Sequence, residues 1–325
     1  MEGIVVPPQN TIIQEEFLMK NYKNMVIIGI DHGYGNIKTA NHIFRTGIMS
    51  FDSEPLFTRN MLEYDGKYYT IGEGHKEFKA DKQKDDEYYV LTLAAVAMEL
   101  RDRRLTEADV FLAAGLPLTW VAEQKSEFAA YLTRNKEVSF IFDRVPYHIH
   151  VVGAKIYPQG YAAVAEFASR MRGVNMIADI GNGTMNTLTV INGAPQQGRM
   201  FTEKFGTHQC TLAVREQFSR KTQRELDDAI IEEVLINGTA DLCKDDLIII
   251  TDTATEYVNG IFRRLREHGY DDKSTILHIT GGGGCLVKNF YQYDPNRVRF
   301  VDDICAAAKG YEYMAELQFR MGVSI

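Results

Sequence analysis

The chain has 325 residues, 45% of them hydrophobic and 25% charged, and its formal net charge is −8. This length suits two lobes of similar size, and the acidic balance disfavours direct binding of nucleic acid, which normally needs a basic face. Four cysteines without a CxxC pair predict reduced thiols in a cytoplasmic protein. No apolar run reaches the roughly 18 residues of a membrane span, and the opening MEGIVVPPQN does not resemble a signal peptide.

The first half of the chain predicts an extension followed by a lobe. Residues 1–24 precede the first core strand, as either a flexible tail or an arm that docks on its own body or on a neighbouring subunit. The strand MVIIGI then leads into a glycine-rich turn. Residues 49–85 are polar and predict a small insert with a hairpin at Asp65-Gly66. The following segment, DDEYYVLTLAAVAMELRDRR, predicts a helix with an acidic start and a basic end, and YAAVAEFASRMR predicts a later helix that ends at Gly173.

The second half repeats this order. A strand, a glycine-rich turn and a second strand form VNMIADIGNGTMNTLTVING, and helices are predicted over 207–236 and 252–268. The strand in STILHITGGGG ends in four glycines. Strand hairpins followed by helices, twice over, predict an α/β protein of two related lobes. The predicted boundaries are 25–157 for the first lobe, 158–302 for the second, and 303–325 for a C-terminal helix that returns to the first lobe.

Two glycine-rich hairpins share one pattern. When GIDHGYGNIKT is placed over IADIGNGTMNT, Asp31 falls on Asp179, and Gly33 and Gly35 fall on Gly181 and Gly183. A single such turn is adequately explained as a structural turn capped by an acid. Two copies in register, with a third glycine-rich loop later in the chain, favour a site that grips one polyphosphate from both lobes.

The residue types suit that chemistry. Glycines permit a left-handed turn and leave exposed amides that form an anion-binding nest. An aspartate at a strand end can hold Mg²⁺ through water, and Lys38 can add a positive charge to a phosphate. The four glycines after TILHIT allow a base or ribose to lie on bare backbone, although a flexible turn is the alternative. The sequence has neither GxxxxGK[ST] nor GxGxxG, which argues against P-loop and Rossmann sites.

These motifs resemble the actin, Hsp70 and sugar-kinase superfamily, and IGIDHGYGNIKTA and YPQGYAAV resemble most closely the plasmid-segregating actin-like proteins of the ParM/StbA group. The resemblance spans about residues 25–320. It implies an actin-like fold of two ribonuclease H-like halves around a nucleotide cleft, with ATP, or alternatively GTP, bound together with Mg²⁺.

The resemblance also implies residue roles. Asp31 and Asp179 would lie near Mg²⁺, and Gln159 would position the attacking water, so these three are the candidate catalytic residues. The candidate nucleotide-binding residues are Gly33, Tyr34, Gly35, Asn36, Lys38, Gly181, Asn182, Gly183, Thr184, Gly281, Gly282 and Gly283.

Two departures from the family are visible. Asn186 stands where the second motif often carries another aspartate, so metal handling or the hydrolysis rate is expected to differ. The region between the second hairpin and the glycine-rich loop is shorter than in actin, which predicts a reduced outer subdomain on the second lobe.

The resemblance implies a cytoplasmic ATPase that polymerises with ATP and separates plasmids through a DNA-bound adaptor of the ParR type, without direct nucleic-acid or membrane binding. A small-molecule kinase of the same superfamily is the first alternative, although no candidate base beside an enclosed substrate site is evident. A nucleotide-regulated, chaperone-like binding module is the second. ATP-dependent sedimentation distinguishes the filament from both alternatives.

Overall fold

The structure is a computed structural model that describes residues 21–56, 59–74 and 86–322. Most of the predicted extension, residues 1–20, therefore lies outside the described residues, and the same holds for the parts of the predicted insert at 57–58 and 75–85.

The first half of the chain builds one large mixed sheet. Within the described ranges it has ten strands, ordered β4-β3-β2-β8-β10-β9-β6-β7-β5, with β1 paired to β2. The strands β2, β8 and β10 are parallel neighbours, and their long buried runs form the centre of the first lobe. The strand bounds are β1 Asn21–Tyr22, β2 Met25–His32, β3 Asn36–Lys38, β4 Ile43–Arg45, β5 Ile48–Phe51, β6 Met61–Tyr64, β7 Lys67–Ile71, β8 Glu107–Leu116, β9 Glu137–Phe142 and β10 Val145–Pro158.

The second half builds a smaller sheet. Its order in the described residues is β13-β12-β11-β14-β15, in which β11 pairs antiparallel with β12 and parallel with β14. Because β11 and β14 run in the same direction, the turns that follow them meet at one edge of the sheet. The strand bounds are β11 Val174–Ile180, β12 Met185–Ile191, β13 Ala194–Glu203, β14 Ile276–Thr280 and β15 Val298–Phe300.

Helices cover both sheets, and two of them differ from the sequence predictions. The helix expected from 252 begins at Lys244, with Asp245 and Asp246 favourably placed in its first turn. The segment YAAVAEFASRMR, predicted to be helical as far as Gly173, forms only a 3₁₀ turn at Ala162–Val164 and one α-helical turn. The α-helix bounds are α1 Asp86–Asp102, α2 Val121–Leu132, α3 Ala165–Ala168, α4 Thr207–Thr222, α5 Asp228–Asn237, α6 Lys244–Glu267, α7 Gly284–Phe290 and α8 Ala306–Arg320.

The predicted insert is part of the first sheet. The β6–β7 hairpin turns at Asp65-Gly66 as predicted, with positive φ angles of 52° and 72°. Strand β6 also pairs with β9, and Leu62 is fully buried. The strands of this segment thus extend the main sheet instead of forming a separate appendage.

The last helix, α8, packs against β2 and β8 of the first sheet at very short range. A Cβ atom on Gly29 would lie 2.1 Å from the Ala308 carbonyl oxygen, so only glycine allows this approach. The Gly29 amide donates to Glu312 Oε1 over 2.9 Å, which ties the middle of β2 to the helix. None of the helices in the described part of the chain is both long enough and apolar enough to cross a membrane.

Candidate functional site

The first hairpin is a tight turn between β2 and β3. Asp31 lies at the end of β2, directly opposite Lys38, and Lys38 Nζ lies 3.1 Å from Asp31 Oδ2. The Gly33 amide donates to the Asp31 carbonyl, and a Cβ on Gly33 would lie 2.4 Å from the Asn36 carbonyl oxygen. Thr46 fastens the turn from outside, since its hydroxyl donates to the Gly33 carbonyl. The turn therefore requires glycine for steric reasons.

The second hairpin is built in the same way between β11 and β12. Asp179 lies opposite Asn186, in the register that Asp31 and Lys38 occupy in the first hairpin. The Gly181 amide donates to the Thr184 carbonyl over 2.8 Å. The start of α4 then caps the turn, because the Thr207 amide donates to the Gly181 carbonyl. Gly206 permits this approach, since a Cβ there would lie 2.3 Å from the Asn182 carbonyl oxygen.

The two hairpins face each other across the space between the two sheets. A Cβ on Gly35 would lie 3.1 Å from Asn182 Cγ, so the two turns are in direct van der Waals range. Gly35 belongs to the first sheet's hairpin and Asn182 to the second's. The matching motifs are thus brought together from distant parts of the chain into one cleft.

The turn after β10 runs between the two aspartates. Gln159 Nε2 donates to Asp31 Oδ1 over 3.0 Å, and the Gln159 amide donates to the Leu116 carbonyl. The next residue, Gly160, has a φ angle of 80°, and a Cβ there would lie 3.2 Å from Asp179 Cβ. Gln159 is therefore held at Asp31, and the following residue is packed on Asp179.

The third glycine-rich loop packs on the second hairpin. A Cβ on Gly281 would lie 2.7 Å from Asp179 Oδ1, and one on Gly283 would lie 2.2 Å from Ile180 Cγ2. The Gly283 amide also donates to the Ile180 carbonyl. Only Gly282 faces open space. Close packing therefore requires glycine at positions 281 and 283, and contact of this loop with a nucleoside stays a prediction.

The fold is shared with known proteins. Residues 29–161 match the family model described as the N-terminal domain of actin-like proteins. Solved structures extend this likeness over most of the chain and show an actin-like fold. A crystal structure of an archaeal actin homologue covers 90% of the chain and 100% of its own, with 18% identity and a TM-score of 0.74. The ADP complex of that homologue aligns with 19% identity and a TM-score of 0.69.

Two further actin-like structures are similar. The apo ParM protein of psk41 covers 92% of the chain and 99% of its own, at 17% identity and a TM-score of 0.69. A filament of Alp12 covers 91% of the chain and 100% of its own, at 16% identity and a TM-score of 0.64. At these identities the likeness establishes the fold, and it confirms the predicted actin-like architecture of two lobes. No curated protein sequence matches the chain at a significant level.

The cleft between the two hairpins places two carboxylates close together. Removal of the half-buried Asp179 from water, followed by the nearby Asp31 carboxylate, raises the pKa of Asp179 to about 6, although Lys38 and Asn186 act in the opposite direction. Burial alone would lower the pKa of Lys38, but the two carboxylates outweigh it, so that this pKa is raised. Lys38 therefore remains a cation between two acids.

The donor set fits Mg²⁺ held mainly through water and substrate. Within the described residues there is no cluster of three or more histidine, cysteine, aspartate or glutamate side chains that could enclose a metal. Asp31 and Asp179 provide two carboxylates that repel each other, and a divalent cation would relieve that repulsion. Mg²⁺ commonly keeps several waters and uses only one or two carboxylates, which is compatible with this pair.

Asn186 links the second hairpin to the first lobe. Its Oδ1 atom accepts from Thr202 Oγ1 over 2.8 Å and from the Leu118 amide, in the loop after β8, over 3.4 Å. The amide nitrogen is then the group that donates to Asp179 and helps to hold its pKa down. The residue thus ties Asp179 to the loop after β8.

Not all loop amides are available to an anion. The Gly33 and Gly181 amides already close their own turns. The other predicted nucleotide-binding residues of these two loops are Tyr34, Gly35, Asn36, Asn182, Gly183 and Thr184, together with Lys38. A phosphate in this cleft would have to be met by those groups.

The side chain of Tyr311, beside the site, was not predicted from the sequence. Tyr311 of α8 is fully buried, and a Cβ on Gly115 would lie 1.9 Å from its hydroxyl oxygen. Asp31, Asp179 and Gln159 all influence the pKa of Tyr311, so its hydroxyl lies close to the cleft. The sequence feature that could have indicated Tyr311 is Gly310-Tyr311-Glu312, a glycine followed by two polar residues in a helix that is otherwise rich in alanine.

Proposed function

We propose that this protein with an actin-like fold is a filament-forming ATPase of the ParM type, in which the two hairpins bind the phosphates of a nucleoside triphosphate with Mg²⁺. The observation that carries the proposal is the contact between Gly35 and Asn182. It brings two equivalent turns from different lobes to opposite sides of one cleft. A ligand bound by both turns would make the relative position of the two lobes depend on which ligand is bound.

The side chains around this contact suit phosphoryl transfer to water. Asp31 and Asp179 are the residues that would hold Mg²⁺, which when bound would neutralise charge on the transferring phosphoryl group. Lys38 contributes a fixed positive charge beside them. Gln159 is the candidate for orienting the attacking water, because a carboxamide both donates and accepts hydrogen bonds. A carboxamide is not a strong base, and this chemistry depends chiefly on positioning and charge.

Assembly into filaments is supported by the relatives rather than by a contact within this chain. One similar structure is a filament of Alp12, and another is a ParM protein. A head-to-tail contact between copies is heterologous and therefore propagates instead of closing. The net charge of −8 favours an indirect link to plasmid DNA, through a DNA-bound adaptor of the ParR type.

The test is sedimentation and phosphate release by the purified protein with Mg²⁺ and ATP, GTP, a non-hydrolysable ATP analogue or no nucleotide. We expect nucleotide-dependent pelleting, with phosphate released only from the hydrolysable nucleotides. Asp179→Ala should abolish or sharply weaken both. Nucleotide turnover that needs an added small molecule would instead indicate a kinase. Nucleotide binding without pelleting or turnover would indicate a binding module.

A further inference from the structure

We propose that Tyr311 is a positioning residue for Gln159: its hydroxyl binds the Gln159 carboxamide when Asp31 releases that side chain, and so fixes the orientation in which Gln159 meets water. This inference rests on the proposed ATPase function and concerns the step that follows nucleotide binding. It assigns a role in that step to α8, a helix that carries none of the glycine-rich motifs.

The Tyr311 hydroxyl is a buried polar group without a well-formed hydrogen bond. The residue has no exposed surface, and its hydroxyl makes no hydrogen bond of acceptable geometry within the described residues. Buried polar atoms are nearly always paired, because an unpaired one forfeits its hydrogen bonds to water. A poorly paired hydroxyl beside the candidate catalytic cleft therefore indicates a hydrogen bond that becomes well formed in another state.

The phenol ring is held firmly where it is. Its hydroxyl lies over the backbone of Gly115 in β8, at a distance that no side chain on residue 115 would permit. The ring stacks on Tyr157 of β10 with centroids 6.3 Å apart. One residue earlier in α8, a Cβ on Gly310 would lie 1.9 Å from the Ala162 carbonyl oxygen. The strands and the turn that flank Gln159 thus enclose Tyr311.

The groups that face the hydroxyl are those of the site. Burial raises the pKa of Tyr311 well above its usual value, the Asp31 and Asp179 carboxylates raise it further, and a hydrogen-bond contact with Gln159 lowers it. Tyr311 is thus a neutral phenol that can donate one hydrogen bond at any working pH. Asp31 already receives Gln159 Nε2, and the contact between the Gln159 carboxamide and the Tyr311 hydroxyl falls short of good hydrogen-bond geometry in this state.

An exchange of partners follows from these contacts. If Asp31 is drawn to a bound cation, it no longer holds Gln159 Nε2. The Gln159 carbonyl oxygen has two lone pairs, of which one can accept from Tyr311 while the other accepts from a water molecule. The hydroxyl would then gain the well-formed hydrogen bond that it lacks here. Gln159 would be held by Asp31 in the resting protein and by Tyr311 during hydrolysis.

The variant Tyr311→Phe removes only the hydroxyl. We expect the phosphate release rate from ATP to fall about tenfold, the effect of losing one hydrogen bond in the transition state. Nucleotide affinity and sedimentation with a non-hydrolysable analogue should be unchanged within about twofold. The nucleotide-free variant should melt at the same temperature as the wild type or higher, because the lost hydroxyl has no well-formed hydrogen bond in that state.

Tyr157→Phe is the matched control. It removes the hydroxyl from the other buried ring of the same stack, and that hydroxyl donates to Gln318 Oε1 over 3.0 Å and not to the site. We expect this control to lower the melting temperature while the hydrolysis rate stays near that of the wild type. A merely structural Tyr311 would behave in the same way as this control.

A double-mutant cycle tests whether Tyr311 acts through Gln159. Tyr311→Phe in the Gln159→Ala background should slow phosphate release no further than Gln159→Ala alone, because the carboxamide is already absent. A normal rate in Tyr311→Phe, or full additivity in the double variant, would overturn the inference while leaving the ATPase intact. Absence of hydrolysis in the wild type would instead overturn the proposed function, and with it this role of Tyr311.

Discussion

Lys38 lies directly opposite Asp31 across the first hairpin, with 3.1 Å between Lys38 Nζ and Asp31 Oδ2. In the second hairpin, the same position opposite Asp179 is occupied by Asn186. The paired turns therefore bring together two carboxylates, one ammonium and one neutral amide. The cleft therefore carries one more negative than positive charge, and substitutions, pH and a bound cation should all change its stability or its affinity for a nucleotide.

Substitution of Lys38 by methionine should weaken nucleotide binding. The change keeps most of the side-chain volume but removes the positive charge between the carboxylates and a bound phosphate. We expect the affinity for Mg²⁺–ATP, measured by titration with a fluorescent analogue, to fall at least about tenfold, or about 1.4 kcal/mol. Lys125→Met, on the exposed surface of α2, is the control and should bind normally. Equal affinities in the two variants would remove Lys38 from the site.

The raised pKa of Asp179 predicts an unusual dependence of stability on pH. The pKa rises from 3.8 to about 6 on folding, so between these values the folded protein binds more protons than the unfolded chain. The contribution of Asp179 to the free energy of unfolding should therefore fall as pH rises from 4 to 6 and stay low above that. We expect a loss of about 2 kcal/mol, less than the full shift implies, because the side chain keeps some access to solvent.

The measurement is chemical denaturation of the nucleotide-free protein across this pH range. Asp179→Asn should flatten the slope and unfold at higher denaturant concentration at neutral pH, even though it loses the response to Mg²⁺. Asp252→Asn, on the exposed surface of α6, is the control and should leave the slope unchanged. A slope identical in all three proteins would show that the Asp179 carboxylate is not destabilised by its surroundings.

Substitution of Asn186 by aspartate should make the protein depend on a cation. The change places a third carboxylate beside Asp179 and removes the amide that donates to it. Without divalent ions we expect the free energy of unfolding to fall by about 2 kcal/mol at neutral pH. With Mg²⁺ present, the new oxygen ligand should recover part of that loss, so the metal should raise the melting temperature more than in the wild type.

Asn186→Ala separates the charge from the lost hydrogen bonds. It removes the contacts with Thr202 and the Leu118 amide but adds no carboxylate. The alanine variant should lose stability and show no enhanced response when MgCl₂ is titrated during thermal denaturation. If the aspartate and alanine variants respond equally to Mg²⁺, Asn186 does not adjoin a cation site.

The local parts of this architecture could be predicted from the sequence. The hairpins carrying Asp31 and Asp179, and the turn at Asp65-Gly66, depend on residues within about ten positions of each other, where the need for glycine is visible in the sequence. Helix α6 was predicted to begin too late because LIIITDT, which lies inside it, is rich in β-branched residues that favour strands.

The contacts between distant segments could not be predicted in this way. Gly35 and Asn182, or Gly115 and Tyr311, are more than a hundred residues apart, and only the packing of the sheets and α8 brings them together. Gly281 and Gly283 show the same limit. Contact of their loop with a nucleoside stays a prediction, but the sequence did not show that both are also needed because the loop lies on Ile180 and Asp179. A glycine required by a neighbouring backbone looks no different in sequence from one required by a ligand.

The final prediction concerns how α8 reaches the site. A glycine inside a helix normally costs about 1 kcal/mol relative to alanine, so replacing it with alanine should stabilise the protein. At Gly310 the opposite should hold, because the added Cβ would lie 1.9 Å from the Ala162 carbonyl oxygen, a backbone atom that cannot turn away. We expect Gly310→Ala to lower the free energy of unfolding by at least about 2 kcal/mol.

Gly260→Ala in α6 provides the matched comparison. Its Cβ would first meet the end of the Phe205 ring at 3.3 Å, a side-chain atom that can shift, so this variant should be neutral or slightly more stable in urea unfolding. Because Ala162 follows Gln159 by three residues, a displaced α8 should also slow phosphate release in Gly310→Ala but not in Gly260→Ala. Equal stability of the two variants would mean that α8 does not press on this turn, and the enclosure of Tyr311 beside Gln159 would lose one of its walls.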